Sequence, residues 1–277
     1  MAKLITRCLY PVAGFGTRFL PATKVIAKEM LPIVDTPLIQ YGVEEAYFAG
    51  INNMVMVTSR QKKVIEDHFD KSLDLNKVIK NKEDKLKLLA PLNNLIKNCS
   101  FSFIRQKKMA GLGNAIHTGE PIIDDNPFMV ILPDDLCINE NGDNVTSQMV
   151  KLYEKYKCSI VAIEEVDPNE VNKYGVISGN EIEKDIYQIE DMIEKPDIDK
   201  APTNLAIIGR YILTPDIFKI IEKTKKGKGG EIQITDALLT QAKNQRVLAY
   251  KFEGRRFDCG SVKGFIDASN YFYNKRL

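Results

Sequence analysis

Apolar residues along the first half of this chain alternate between short continuous runs and helical spacings. Leu4 to Val12 predicts a strand, which ends in the glycine-rich turn Ala13-Gly14-Phe15-Gly16-Thr17-Arg18. Leu38, Tyr41, Gly42, Glu45, Ala46 and Ala49 then recur at helical spacing, with Thr36 as the expected cap, Pro37 at the first helical position and Gly50 as the stop. Strands are predicted over 54–57, 100–105, 128–132 and 159–163, and helices over 62–69, 113–120 and 145–156. Strands separated by helices at this spacing imply a parallel sheet with helices on both faces. Ligands of such sheets bind outside the carboxyl ends of the strands. The glycine turn, Gln106 and the Asp134-Asp135 pair each follow a predicted strand, so they can converge on one rim.

Residues 71–98 are rich in Lys, Asn and Leu and helical in character, as expected of an insertion that covers a surface or meets another subunit. Beyond Tyr174 the pattern is less regular, with strands at 175–177, 186–193 and 206–213 and helices at 216–222 and 235–243. No internal repeat or linker divides the chain. It reads as one domain over 1–277, with 1–165 mainly for one ligand and 166–277, including a carboxyl-terminal helix, mainly for a second.

Composition narrows the function. The chain has 277 residues, and its 39 basic against 37 acidic residues leave a net charge of +2. That balance argues against a nucleic-acid or membrane-surface binder. The five cysteines are scattered without a C-x-x-C pair, which suits reduced thiols in a cytoplasm. The stretch Met1 to Arg7 lacks the apolar core of a signal peptide.

Gly14-x-Gly16-Thr17-Arg18 places small residues where backbone N–H groups can approach phosphates, with Arg18 as a bidentate donor. Phe19 stands where a dinucleotide fingerprint needs a third glycine, and no Gly-Lys-Ser/Thr of a P-loop follows. Taken alone, this is equally an ordinary strand-to-loop turn. Asp134 and Asp135 are adjacent carboxylates at a strand end, for which a divalent cation is the usual remedy; an aspartate capping the next turn is the alternative. Lys195 precedes Pro196, a bias toward extended backbone that would let its ammonium project across a cleft. His68, His117 and the cysteines have no catalytic partner at useful spacing and read as structural.

An ordered set of blocks then carries a resemblance. These are Gly14-x-Gly16-Thr17-Arg18, Lys28-Glu29-Met30-Leu31-Pro32, Gly111-Leu112-Gly113-x-Ala115, Leu132-Pro133-Asp134-Asp135, Tyr174-Gly175-Val176, Ile193-Glu194-Lys195-Pro196, Gly229 to Leu238 and Phe257-Asp258-Cys259-Gly260. In this order the chain resembles the bacterial UTP–glucose-1-phosphate uridylyltransferases of the sugar nucleotidyltransferase family. Family members often carry proline where this chain has Ala27. The resemblance implies a Rossmann-like, mixed but mainly parallel sheet of the glycosyltransferase-A-like type, Mg2+ as cofactor and a homodimer or homotetramer. UTP and glucose 1-phosphate would be the substrates, UDP-glucose and pyrophosphate the products.

By the same resemblance, Ala13, Gly14, Gln106 and Gly111 would hold uracil and ribose, and Gly16, Thr17, Arg18 and Lys28 the triphosphate. Asp134 and Asp258 would ligate the metal. Asp135, Gly175, Glu194, Lys195 and Glu231 would hold glucose 1-phosphate, and Arg18, Lys28 and Lys195 would carry catalysis. Leu-Pro-Asp-Asp favours the uridylyl branch over a thymidylyl sibling, where Gly-Asp-Asn is expected. A glycosyltransferase would have no reason to keep the triphosphate turn, and a non-catalytic sensor could dispense with Lys195 and the metal carboxylates.

Overall fold

The computed structural model describes residues 4–276; residues 1–3 of the amino-terminal stretch read above lie outside the described residues. In chain order the strands are β1 Arg7–Pro11, β2 Pro32–Ile33, β3 Thr36–Pro37, β4 Asn53–Thr58, β5 Ser100–Arg105, β6 Phe128–Ile131, β7 Asp135–Ile138, β8 Ser159–Glu165, β9 Gly175–Glu183, β10 Ile186–Glu194, β11 Leu205–Leu213, β12 Val247–Lys251 and β13 Arg255–Asp258. The helices are α1 Leu38–Phe48, α2 Lys63–His68, α3 Leu73–Ile79, α4 Glu83–Asn98, α5 Leu112–Thr118, α6 Glu120–Ile123, α7 Val145–Tyr156, α8 Ile217–Lys223, α9 Ile234–Asn244 and α10 Val262–Asn274.

Nine strands form one sheet in the order β5-β4-β1-β6-β11-β8-β12-β10-β9. β5, β4, β1 and β6 are mutually parallel, as the alternation of strands and helices predicts. The sheet is nevertheless mixed. β11 returns antiparallel between β6 and β8, and β10 runs antiparallel to both β12 and β9. A strand from residues 205–213 thus sits in the middle of the sheet, and the two halves of the chain share one layer.

Period-two alternation divides each inner strand between two cores, because successive side chains leave opposite faces of a sheet. Tyr10, Met54, Met56, Met129 and Ile131 enter one core. Leu9, Val55, Val57, Phe128 and Val130 enter the other. A third, smaller core joins Ile33, Leu38, Leu136, Phe257 and Ala268, and fastens α10 over the ribbon of β7 and β13.

Two local expectations are corrected. Thr36 does not cap α1: Thr36 and Pro37 pair with Ile33 and Pro32, and the Thr36 hydroxyl donates to Asp35. Pro37 is extended at ψ 138, and the helix starts one residue later, at Leu38. β7, β12 and β13 were not expected from the pattern, because each is short and lacks sustained alternation. The 71–98 segment is helical as expected, yet it packs inward at few positions, through Ile79 at the end of α3 and through Leu92 and Leu95 in the last turns of α4. Among the described residues no helix is long and apolar enough to cross a membrane.

Candidate active site

The glycine turn leaves the carboxyl end of β1. Gly16 lies at φ 68, and a Cβ there would stand 2.9 Å from Lys28 Cβ and 3.3 Å from Thr23 Cγ2, so only glycine fits this approach. The Thr23 hydroxyl donates to the Gly16 carbonyl at 2.7 Å, which fastens the turn to the following loop. That loop carries Lys28, whose Nζ is 2.5 Å from Asp134 Oδ2. Arg18 Nη1 donates to the Gly260 carbonyl at 3.1 Å.

Gly260 measures the convergence. A Cβ on it would lie 3.0 Å from Arg18 Nη1, 3.0 Å from Asp258 Oδ1 and 3.1 Å from Asp134 Oδ2. Residues drawn from the ends of β1, β6 and β13 therefore meet around one point. Asp258 arrives because β13 pairs with β7, with Asp258 opposite Asp135. Among the described residues no group of three or more His, Cys, Asp or Glu side chains gathers into a metal cage. Asp134 and Asp258 are a donor set that fits Mg2+, which commonly takes one or two carboxylates and completes its shell with water and substrate phosphates.

The repulsion expected between Asp134 and Asp135 is resolved differently for each. Asp134 is partly buried, which opposes ionisation, but the Lys28 ammonium outweighs this and holds its carboxyl below the ordinary value. Burial likewise works against the charge on Lys28, and Asp134 and Glu29 outweigh it to raise the ammonium's pKa. Asp135 turns away and spends both oxygens within the protein. Oδ2 accepts from Gly209 N at 2.7 Å, and Oδ1 pairs with Arg256 Nη1 at 2.5 Å. The adjacent pair is thus not a joint metal cradle, and Asp135, expected on the sugar-phosphate side, faces a guanidinium. Among the described residues Asp258 has no such ion pair; burial and the neighbouring Asp135 push its pKa up.

Arg256 is the site residue that sequence reading missed. Its Nε reaches Glu164 Oε1 at 2.5 Å, Nη2 donates to the Tyr174 hydroxyl at 3.1 Å, and the guanidinium packs over the Tyr174 ring. Its spacing of two from Asp258 would have placed both on one face, had β13 been recognised.

The second group gathers around β9, β10 and α9. Glu194 Oε2 accepts from the Thr235 hydroxyl at 3.0 Å, and Glu194 Oε1 lies 3.2 Å from Lys195 Nζ. A Cβ on Gly175 would meet Thr235 Cγ2 at 2.7 Å and Glu194 Oε2 at 3.2 Å, so glycine is needed beside this carboxylate. Lys195 is not extended as its proline neighbour suggested. Its φ is 48, a left-handed backbone rare outside glycine and asparagine. Two hydrogen bonds hold it there: Lys195 N donates to Tyr174 O at 2.9 Å, and Lys228 Nζ donates to Lys195 O at 2.5 Å.

The two groups touch through Gly111, at φ 97, where a Cβ would stand 2.7 Å from Glu231 Cβ and 2.8 Å from Ile232 O. Ile232 N donates to Ala110 O at 2.8 Å, and Gly113 N to Ile232 O at 2.9 Å. Gln106 is buried beside them and donates from Nε2 to Asn114 Oδ1 at 2.8 Å, leaving its carbonyl oxygen as an acceptor. His68 lies within 3.1 Å of Gln40 and His117 within 3.4 Å of Glu120, both apart from this rim.

The model of the nucleotidyl transferase family matches residues 12–275. A UTP–glucose-1-phosphate uridylyltransferase of Pseudomonas aeruginosa is 60% identical over 270 residues, covering 98% of this chain and 96% of that protein. A solved UDP-glucose pyrophosphorylase complexed with UDP-glucose superposes with a TM-score of 0.93 at 58% identity, over 98% of this chain and 100% of that one. A UTP-bound enzyme of the same kind from Acinetobacter baumannii gives 0.88 at 35% identity, over 97% and 93%.

Proposed function

The chain belongs to the nucleotidyl transferase family, and on that premise we propose that it transfers the uridylyl group of UTP to α-D-glucose 1-phosphate, forming UDP-glucose and pyrophosphate. The observation that carries this reading is the meeting of Arg18, Asp134 and Asp258 around Gly260, with Lys28 seated on Asp134. One phosphate-binding rim then has cations for a triphosphate and two carboxylates for a divalent ion.

A phosphate oxygen of glucose 1-phosphate attacks the α-phosphorus of UTP. The new P–O bond forms as the bond to the bridging oxygen opposite breaks, and pyrophosphate leaves with that electron pair. The attacker is already an anion, so no general base is required. The obstacle is bringing two polyanions together, which makes positioning and charge neutralisation the main catalytic tasks.

In this reading Ala13, Gly14, Gln106 and Gly111 receive the nucleoside, and Gly16, Thr17, Arg18 and Lys28 the triphosphate. Arg18 and Lys28 balance the charge of the departing pyrophosphate. Gly175, Glu194 and Glu231 orient the sugar, and Lys195, held in its unusual backbone conformation, presents its ammonium to the sugar phosphate. Asp134 and Asp258 would hold Mg2+, which when bound polarises phosphoryl oxygens and offsets their charge. Asp135 would act through the Arg256 clamp beside the sugar. We read the whole chain as one domain, with 1–165 mainly serving the nucleotide and 166–277 the sugar phosphate.

A cytoplasmic location belongs to the same proposal. So does a homodimer or homotetramer, supported by the apolar Leu73, Val78 and Leu88 that α3 and α4 leave exposed; light scattering on the eluting protein tests it. The decisive experiment incubates the protein with each nucleoside triphosphate in turn, glucose 1-phosphate and Mg2+, and identifies the nucleotide sugar. UDP-glucose with stoichiometric pyrophosphate is expected; dTDP-glucose as the main product would sink the uridylyl assignment.

A further inference from the structure

Behind Lys28 lies a second ion pair, to which the proposed reaction gives no role. Lys62 Nζ is 2.7 Å from Glu29 Oε2, and the two side chains are only 6% and 1% exposed. Lys62 ends the short turn Arg60–Lys62 that follows β4, and Glu29 is the middle residue of the turn Lys28–Met30. The pair therefore ties the loop bearing Lys28 to the rim of the sheet. Burying two charges is expensive even when they meet, so such a pair is weak as a stabilising device.

A second observation gives it direction. Glu29 Oε1 is buried and accepts no hydrogen bond from any described residue. Half of this carboxylate is thus available to another cation, and Lys28 is its neighbour in the chain. A contact between chain neighbours is within reach, as Lys195 and Glu194 demonstrate at 3.2 Å in this same protein. Lys28 nevertheless points to Asp134, at 2.5 Å.

We propose that Lys62 is a positioning residue for nucleotide binding: by occupying Glu29 it keeps Lys28 committed to the rim, on Asp134 in the free protein and on the triphosphate when UTP arrives. Without Lys62, the buried Glu29 carboxylate draws the Lys28 ammonium back and the triphosphate loses a cation. The inference rests on the assignment of Lys28 to UTP.

The test measures UTP affinity by calorimetry in EDTA, alongside steady-state KM values with Mg2+. For Lys62→Met the UTP dissociation constant and UTP KM are expected to rise about tenfold, while the KM for glucose 1-phosphate moves less than about twofold. Adding Glu29→Leu removes the competing carboxylate and is expected to return UTP affinity to within about threefold of wild type. Lys62→Arg, which still holds Glu29, should stay within about twofold.

A Lys62→Met protein with a lower melting temperature and unchanged UTP affinity would make the pair structural only. So would a double variant that binds UTP as weakly as the single one. Should Lys62→Met fail to fold, the double variant decides, since tenfold weaker UTP binding there overturns the proposal. Failure of the wild type to bind UTP at all would instead overturn the functional reading, before any variant is compared.

Discussion

The nucleotide-facing and sugar-facing sides of the rim solve the problem of an anionic ligand in opposite ways. On the nucleotide side the charges are already matched: Lys28 rests on Asp134, with side chains 22% and 25% exposed. Binding there is an exchange of partners. On the sugar side Lys195 is 45% exposed and holds Glu194 more loosely, at 3.2 Å, while its backbone is pinned in a left-handed conformation by Tyr174 and Lys228. Here the main chain is prepared and the charge is left open. A cation already seated on a partner is held in place before the substrate arrives, whereas an exposed one must be aimed by its backbone.

The largest effect should come from Asp258, the carboxylate that belongs to neither matched pair. Asp258→Asn is expected to lower turnover about 1000-fold by weakening the metal site, while UTP binding in EDTA persists. Near-normal turnover across a Mg2+ titration would remove the metal assignment. Next comes Arg256, which joins Asp135, Glu164 and Tyr174 across the boundary between the two sides. Arg256→Met leaves two carboxylates without their cation and should cost about 3–5 kcal/mol in urea unfolding.

The comparison itself is tested by crossing Lys28→Met with Lys195→Met. Loss of one charge-assisted contact predicts a rise of about 10- to 100-fold in one KM. That rise should fall on UTP for Lys28 and on glucose 1-phosphate for Lys195; equal effects on both would erase the distinction. The smallest effect concerns pH. Burial lowers the pKa of His68, so the unfolded chain binds its proton more readily. The stability tied to neutral His68 is full above about pH 6.5 and is lost as pH falls through the lower folded value. The melting temperature should therefore drop from pH 7.5 to 5.5 less steeply in His68→Gln than in wild type.

Much of the nucleotide side was legible in the chain because its residues follow strands with strong signals. Val55, Leu9 and Val130 mark parallel strands, and the residues just beyond their ends must lie on one rim. The C-terminal part of the site was harder. Arg255 to Asp258 is too short and too charged to announce a strand, so the ribbon that carries Asp258 to Asp135, and Arg256 with it, was known only through family resemblance or not at all. Asp134 and Asp135 show the same limit at a single peptide bond. They are identical in type, yet one meets Lys28 and the other Arg256, residues 106 and 121 positions away.

By itself the sequence determined the long, strongly patterned strands and helices, the two-faced core and the types of charge on the rim, since these follow from periodicity and turn chemistry over short spans. Only the tertiary structure decided which charges neutralise one another, that β11 enters the sheet antiparallel, and that Lys195 takes a left-handed backbone beside a proline. Each of these depends on contacts between distant residues, where burial strengthens electrostatic interactions and packing overrides local preference.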